Sequence, residues 1–275
     1  MLADLHMHTN CSDGTMSPQE IVQHAVDCGL STIAITDHDV IDAYAMALAY
    51  IQENNLPLTL IPGVEFNTNE KNREVHILGY HLNIYHPALT TAMEELQEAR
   101  VERIRKIVDK LQPLDYQITM SEVLAEAKNV LSLGRPHVAR VLVKKGYFEK
   151  NSEVFDALLA KGQPAYVPHV KISVAQAVDL ILQAGGVPVL AHPGLIKDDE
   201  CVERLLDTHK LQGLEVYYPT HTPEETLKYL KISQQRNLIP TGGSDFHATF
   251  GRYPQKLGIF SLNYKQIYAI ISYYK

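Results

Sequence analysis

Val187-Pro188-Val189-Leu190, Leu214-Glu215-Val216-Tyr217 and Leu238-Ile239-Pro240-Thr241 are three short, largely apolar runs. Helical spacing fills the gaps between them, over residues 200–208 and 223–236. A further helical pattern, 173–184, precedes the first run and stops at Gly185-Gly186. Short buried runs alternating with amphipathic helices predict β-α units and a mostly parallel sheet. The number of units suggests a closed or nearly closed α/β barrel, whose ligands would sit at the carboxyl ends of the strands.

The same alternation governs the beginning of the chain. Leu2 to Leu5 reads as a strand. Ser17-Pro18-Gln19-Glu20 opens a helix, with Ser17 as N-cap, Pro18 at the first helical position and Glu20 completing a capping box. Gly29 ends it. Thr32 to Ile35 is a short buried strand, 39–54 a helix and Leu58 to Phe66 another strand. Val75 to Leu82 pairs with that strand across the polar loop 70–73.

Between the two barrel-like stretches the strand pattern disappears. Pro87 to Leu111 is one long charged helical pattern, and shorter ones follow near 121–128, 135–145 and 151–161. The expected organisation is a barrel interrupted by an all-helical insertion: 1–90 first barrel part, 91–168 insertion over the barrel mouth, 169–275 second barrel part.

Composition narrows the function classes. Of the 275 residues, 45% are hydrophobic and 21% charged, which permits a sizeable core. The net charge of −7 argues against a partner such as a long duplex, which needs many Lys/Arg–phosphate contacts. A small phosphorylated substrate stays open, because bound divalent cations reverse the local field. Cys11, Cys28 and Cys201 show no paired spacing, so a disulfide framework is not expected and a reducing cytoplasm fits. Neither a signal-peptide pattern nor a run long enough for a bilayer is expected to act here. Histidine, at 13 residues, is the anomaly.

Those histidines recur beside carboxylates at predicted strand ends. In Asp4-Leu5-His6-Met7-His8, residues two apart on an extended chain point the same way, so His6 and His8 can ligate one cation. The turn Thr9 to Gly14 can return Asp13 to them. Thr36-Asp37-His38-Asp39 repeats the pattern after the second strand. Glu65 ends the next strand; His76 lies within an apolar one; His192 ends another; and Asp245 and His247 follow Gly242-Gly243. A lone strand-end His is usually a satisfied structural residue, and a buried one such as His76 more often bonds the backbone. Five strand ends carrying His, Asp or Glu point instead to mixed N/O metal ligation.

The segments DLHMHTNCSDG, ITDHD, GVEF, His76, AHPG and GGSDFH, in this order, resemble the motif set of the polymerase and histidinol phosphatase (PHP) superfamily. The position of the insertion resembles the branch of bacterial nucleoside 3′,5′-bisphosphate phosphatases that also trim RNA 5′ ends. Asp13 stands where some relatives have His. The resemblance implies a distorted (β/α)7 barrel binding two or three divalent ions, with Mn expected and Fe, Zn or Mg as alternatives. It implies that His6, His8, Glu65 and Asp245 hold one ion. Glu65 would bridge to a second, held by His76 and His192, and Asp13, His38 and His247 would hold a third. Asp37, Asp4 and Asp39 would orient ligands or local structure.

Substrate contacts are expected elsewhere. Arg135 and His137 open a predicted helix, where a guanidinium matches a phosphate and the helix dipole favours an anion. From the residues alone a surface Arg and a helix-start His are an equal reading; the resemblance adds phosphate contact. It also makes His221 a phosphate contact and proton donor, and places Glu65 and Asp245 in the catalysis. Lys197 and Arg252 are further rim candidates. The expected activity is metal-dependent phosphoester hydrolysis: the 3′-phosphate of nucleoside 3′,5′-bisphosphates, with 5′-end trimming of short RNA. A histidinol-phosphatase-like phosphomonoesterase, an amidohydrolase, and a phosphate- or nucleic-acid-binding module without turnover are the alternatives.

Overall fold

A computed structural model describes residues 2–71, 73–127, 133–249 and 254–273. Contacts divide the chain into two units, Met1–Met93 with Ile172–Lys275, and Glu94–Lys171.

The first unit is a nearly closed, barrel-shaped sheet with helices. Its first half contains β1 (Leu2–Asp4), α1 (Pro18–Asp27), β2 (Leu30–Ile35), α2 (Asp42–Glu53), β3 (Thr59–Glu70) and β4 (Arg73–Tyr80). Helix α3 (Pro87–Leu111) begins in this unit and ends in the other. After the helical unit come β5 (Ile172–Ser173), α7 (Val174–Gln183), β6 (Val187–Leu190), α8 (Asp199–Thr208), β7 (Gly213–Tyr217), α9 (Pro223–Arg236), β8 (Ile239–Gly242), β9 (Leu262–Asn263) and α10 (Tyr264–Ile271). The helix starts follow from side-chain capping. Ser17, Ser173, Thr222 and Asn263 each form a capping box with the residue three positions on, satisfying N–H groups that have no partner inside the helix.

The strand order is β8-β7-β6-β4-β3-β2-β1-β9, with β5 added in parallel to β3. Most pairs are parallel, as the alternation predicts. Strand β4 is the exception that matters for the site, being antiparallel to both β3 and β6. The short β9 also runs antiparallel, to β1. Leu5, Ile61, Leu78, Tyr80, Val189 and Leu262, from strands and strand ends around the sheet, share one buried core with Ile267 and Ile270 of α10. Burying each such aliphatic side chain contributes roughly 1.5–3 kcal/mol. The Tyr80 hydroxyl donates to the Leu5 carbonyl at 2.9 Å inside that core, so its polar end is satisfied.

Two boundaries and two short strands differ from expectation. Helix α2 starts at Asp42 rather than 39, because the Asp39 N–H donates to the Glu65 carbonyl, and Asp39 adopts φ 55°. Strand β3 runs on to Glu70, so Glu65 lies within it and not at its end. The two-residue strands β5 and β9 carry too little pattern to be read from sequence.

The second unit is helical: the remainder of α3, α4 (Met120–Ala127), α5 (Arg135–Lys144) and α6 (Asn151–Val154), which continues as a π-helical turn, Phe155–Leu159. Ile104, Ile107, Val108 and Leu111 recur at i, i+3, i+4 and i+7, the spacing of one helix face, and are buried with Val123, Val138, Leu142 and Leu159 in a core of this unit's own. No helix among the described residues is long and apolar enough to cross a membrane.

Candidate metal centre and active site

The backbone at the barrel end brings distant segments together. Residues 6–8 continue β1 in extended form and run beside 245–247: His8 N–H donates to Phe246 O at 2.8 Å, and Asp245 N–H to His6 O at 2.7 Å. His38 and Glu65 form an isolated parallel bridge. This close approach explains the small residues. A Cβ on Gly243 would lie 2.3 Å from His6 N, and one on Gly14 would lie 2.4 Å from His8 O. His192 and Asp245 hold φ values of 24° and 54°, uncommon for residues other than glycine, as is frequent where a site fixes the backbone.

Glu65 is the centre of the arrangement. It is 1% exposed. Its Oε2 lies 3.2 Å from His6 Nε2, His8 Nε2 and His38 Nδ1. Its Oε1 lies 2.9 Å from His76 Nδ1 and 3.0 Å from His192 Nε2. One carboxylate thus presents each oxygen to a different group of imidazoles. Asp245 Oδ1 lies 3.1 Å from His8 Nε2, and Asp13 Oδ1 lies 3.0 Å from His247 Nε2. The ligand-type atoms cluster in three overlapping groups: His6, His8, Glu65 and Asp245; His38, Glu65 and His76; and His8, Asp13, His38 and His247. His8 and His38 each fall in two of these groups, where the resemblance gives each a single ion, and His192 falls in none, reaching the cluster through Glu65 Oε1.

Residues around these atoms lock them. Asp37 accepts from Thr9 N–H at 2.7 Å, Thr9 Oγ1 at 2.6 Å and Ser12 Oγ at 2.5 Å, which shapes the turn carrying Asp13. Asp4 accepts from Ser244 N–H at 2.9 Å and so joins β1 to the Asp245 segment. Asp39 accepts from the backbone and side chain of Asn67. Two participants carry no motif signal in the sequence. Glu215, fully buried in β7, lies 2.9 Å from His6 Nδ1 and accepts from His192 N–H at 2.7 Å. Tyr218 donates its hydroxyl to Asp245 Oδ2 at 2.8 Å. A glutamate in the middle of an apolar strand was the available clue to the first, since a buried carboxylate is rarely left without partners.

The electrostatics of the cluster call for positive charge. Burial alone would lower the His8 pKa, but the Asp245, Glu65 and Asp13 carboxylates raise it to about 10. For His76 burial is likewise outweighed, by Glu65 and then Glu74, and its pKa stands at about 9. Burial, only partly offset by Glu65, takes His38 down to about 3, so protons cannot serve every imidazole at once. His6 Nε2 and both ring nitrogens of His8 are buried without a hydrogen bond, although carboxylate oxygens are close. Buried nitrogens and carboxylates converging in this way fit divalent cations, which supply the charge without protonated rings.

The substrate candidates have local partners. His221 lies with Nδ1 3.0 Å from the Val216 carbonyl, and its Nε2 accepts from Gly194 N–H at 3.2 Å. Burial lowers its pKa. Lys197 is exposed in a left-handed conformation, and Arg252 falls outside the described residues. In the helical unit, Arg135 donates to the Leu159 carbonyl at 2.9 Å, with its guanidinium 5.5 Å from the Phe155 ring centroid and 5.9 Å from that of Tyr166. His137 Nδ1 lies 3.1 Å from the N–H of Gly134.

Comparison with known proteins agrees with this geometry. The family model described as PHP domain matches residues 4–163. The 5′-3′ exoribonuclease Rnm of Escherichia coli is 35% identical over 253 residues, 90% of this chain and 85% of that protein. The 3′,5′-nucleoside bisphosphate phosphatase of Chromobacterium violaceum is 32% identical, over 89% of this chain and 87% of its own length. Among solved structures, a protein from Bifidobacterium adolescentis assigned to the metal-dependent phosphoesterases superposes with a TM-score of 0.83 at 30% identity, covering 98% of this chain and 95% of that one. A Chromobacterium violaceum structure described as an amidohydrolase with bound sulfate and no metal gives 0.77 at 29% identity, covering 95% and 91%. The chain belongs to the PHP domain family and is a metal-dependent phosphoesterase, a hydrolase acting on ester bonds.

Proposed function

We propose that the chain removes the 3′-phosphate of nucleoside 3′,5′-bisphosphates and also trims short RNA from its 5′ end. The observation that carries the reading is the division of Glu65 between two groups of histidines, with Oε2 toward His6, His8 and His38, and Oε1 toward His76 and His192. A shared carboxylate of this kind suits two neighbouring cations. His6, His8, Glu65 and Asp245 would hold one; Glu65, His76 and His192 a second; and Asp13, His38 and His247, beside His8, a third. Manganese is the metal we favour on the mixed imidazole and carboxylate donors. Bound cations supply a lowered pKa for water and a clamp on phosphoryl oxygens.

The protein's own groups do the positioning. Glu65 and Asp245 keep the reacting groups in register, and Tyr218 restrains Asp245 through its second oxygen. His221 is the proposed phosphate contact and proton donor; to serve, its Nε2 must give up the Gly194 N–H and take on a proton in the presence of the substrate's negative charge. Arg135 and His137 are the proposed substrate contacts of the helical unit, on the chemistry of a guanidinium and an imidazole toward phosphate. Support for the nucleotide substrate comes from the activities named for the Escherichia coli and Chromobacterium violaceum relatives, and the sulfate in the second solved structure supports a site for tetrahedral anions.

The test is a hydrolysis panel with Mn²⁺: adenosine 3′,5′-bisphosphate, a 5′-phosphorylated RNA trimer, histidinol phosphate and an acyl amide. Release of 3′-phosphate with the highest kcat/KM is expected. Preference for histidinol phosphate would move the chain to the other phosphatase branch, and amide cleavage without phosphate release would refute the reading.

A further inference from the structure

We propose that Glu215 is the positioning residue that decides which nitrogen of His6 faces the metal centre, and that it couples His6 to His192 on the other side of Glu65. Glu215 is completely buried at the middle of β7, opposite Thr241 of β8. Its Oε1 is 2.9 Å from His6 Nδ1, and its Oε2 receives the backbone N–H of His192 at 2.7 Å. Both oxygens are therefore committed to different segments of the site.

The direction of the first bond follows from Glu215 acting as a carboxylate. An ionised carboxylate only accepts hydrogen bonds. With Oε2 accepting from His192, Oε1 accepts from His6, and Nδ1 carries a hydrogen whether the ring is neutral or protonated. The nitrogen left with a lone pair to offer a cation is Nε2. That atom lies 3.2 Å from Glu65 Oε2 and 3.5 Å from Asp245 Oδ1, buried and without a hydrogen bond. A carboxylate behind a ligating imidazole fixes both its tautomer and its ring orientation.

The other half of the bond pair acts on the backbone. His192 holds φ 24° and ψ 62°, and its Nε2 reaches Glu65 Oε1 at 3.0 Å. Anchoring its N–H helps retain this uncommon conformation. Glu215 thus connects a residue facing Glu65 Oε2 with one facing Glu65 Oε1.

The inference rests on the reading of His6 as a metal ligand, and the experiment separates the two. Glu215→Gln keeps the shape but offers one acceptor for two N–H donors, so its amide group meets the other donor head-on. In the Zn²⁺-loaded parent, ¹⁵N-histidine NMR should show His6 bound through Nε2 with Nδ1 protonated. Calorimetric Zn²⁺ titration of Glu215→Gln should show affinity reduced about ten- to a hundredfold, with an unchanged circular dichroism spectrum. Parental affinity in Glu215→Gln, or His6 bound through Nδ1, would overturn the proposal. A Glu215→Gln chain that does not fold leaves the parental NMR to decide. If His6→Ala retains every Zn²⁺ ion at parental affinity, the ligand reading itself is wrong.

Discussion

Replacing Glu65 by Gln tests the centre of the site with almost no change in volume. The native carboxylate offers a charged oxygen to each of two histidine groups: His6, His8 and His38 at 3.2 Å, and His76 and His192 at 2.9 and 3.0 Å. Glutamine has one neutral oxygen and one amide group. Whichever way it turns, an N–H pair faces one of those groups and repels a cation placed there. The variant is expected to lose at least one ion and the stabilisation of transition-state charge that a cation provides, worth several kcal/mol. Taking about 4 kcal/mol, kcat/KM falls roughly a thousandfold. Metal analysis after equilibrium dialysis, with kcat/KM on adenosine 3′,5′-bisphosphate measured on the same sample, provides the assay. The circular dichroism spectrum should not change, since the carboxylate and not the side-chain volume is removed. A folded Glu65→Gln enzyme with parental metal content and parental rate would refute the bridging role and with it the two-cation reading.

Metal affinity should fall as pH falls, because carboxylates hold His8 at about 10 and His76 at about 9, and an incoming cation must displace those protons. Titrations at pH 7 in buffers of different ionisation enthalpy should therefore show proton release, and an absence of release would contradict the assignment of these rings. Tyr218→Phe removes the 2.8 Å bond to Asp245 Oδ2, a contact to a charged group worth about 1.5–3 kcal/mol, so metal should bind roughly ten- to a hundredfold more weakly. Unchanged affinity would make that hydroxyl idle. Arg135→Ala should lower the melting temperature through loss of the Leu159 bond and the Phe155 and Tyr166 ring contacts, leave metal content intact and raise KM for bisphosphates. A lowered melting temperature with parental KM would confine Arg135 to packing the helical unit.

The parts of the fold that sequence reveals are those governed by short-range rules. Capping boxes locate the starts of α1, α7 and α9, because the Ser or Thr and its partner three residues on act within one turn. Long α3 is visible for a similar reason: its buried face recurs every three to four residues. Strands β5 and β9 are two residues each and exist through pairing with β3 and β1, which no local pattern announces. In the site, His-x-His and Asp-x-His are legible because neighbours two apart on extended chain share a direction. Glu215 and Tyr218 belong to no such motif, since each acts by contact with a residue more than 20 positions away, and only the place of Glu215 within an apolar strand hints at it.

His76 shows why a strand-end rule overlooks a residue that the finished sheet places beside Glu65. In parallel barrel strands the site lies after the strand, so His6, His38 and His192 all follow apolar runs. The hairpin between Glu70 and Arg73 reverses β4, and the same end of the sheet is then reached near the start of that strand. His76 pairs with Asn67 two residues beyond Glu65, and its carbonyl accepts the N–H of Ala191, next to His192. An imidazole that looks buried for packing, between Val75 and Ile77, is in fact carried to Glu65 Oε1 by the direction of its strand. The length of β3 serves the same end. Its ladder with β2 stops at Pro62, while its ladder with β4 continues to Glu70, so Glu65 sits on an arm paired throughout with β4 and, on its other side, with His38 by a single bridge and with β5 at Thr68 and Asn69. A carboxylate there can turn one oxygen to the histidines of β1 and β2 and the other to those of β4 and β6. The reversal of one strand is therefore what gives a single glutamate two sets of partners.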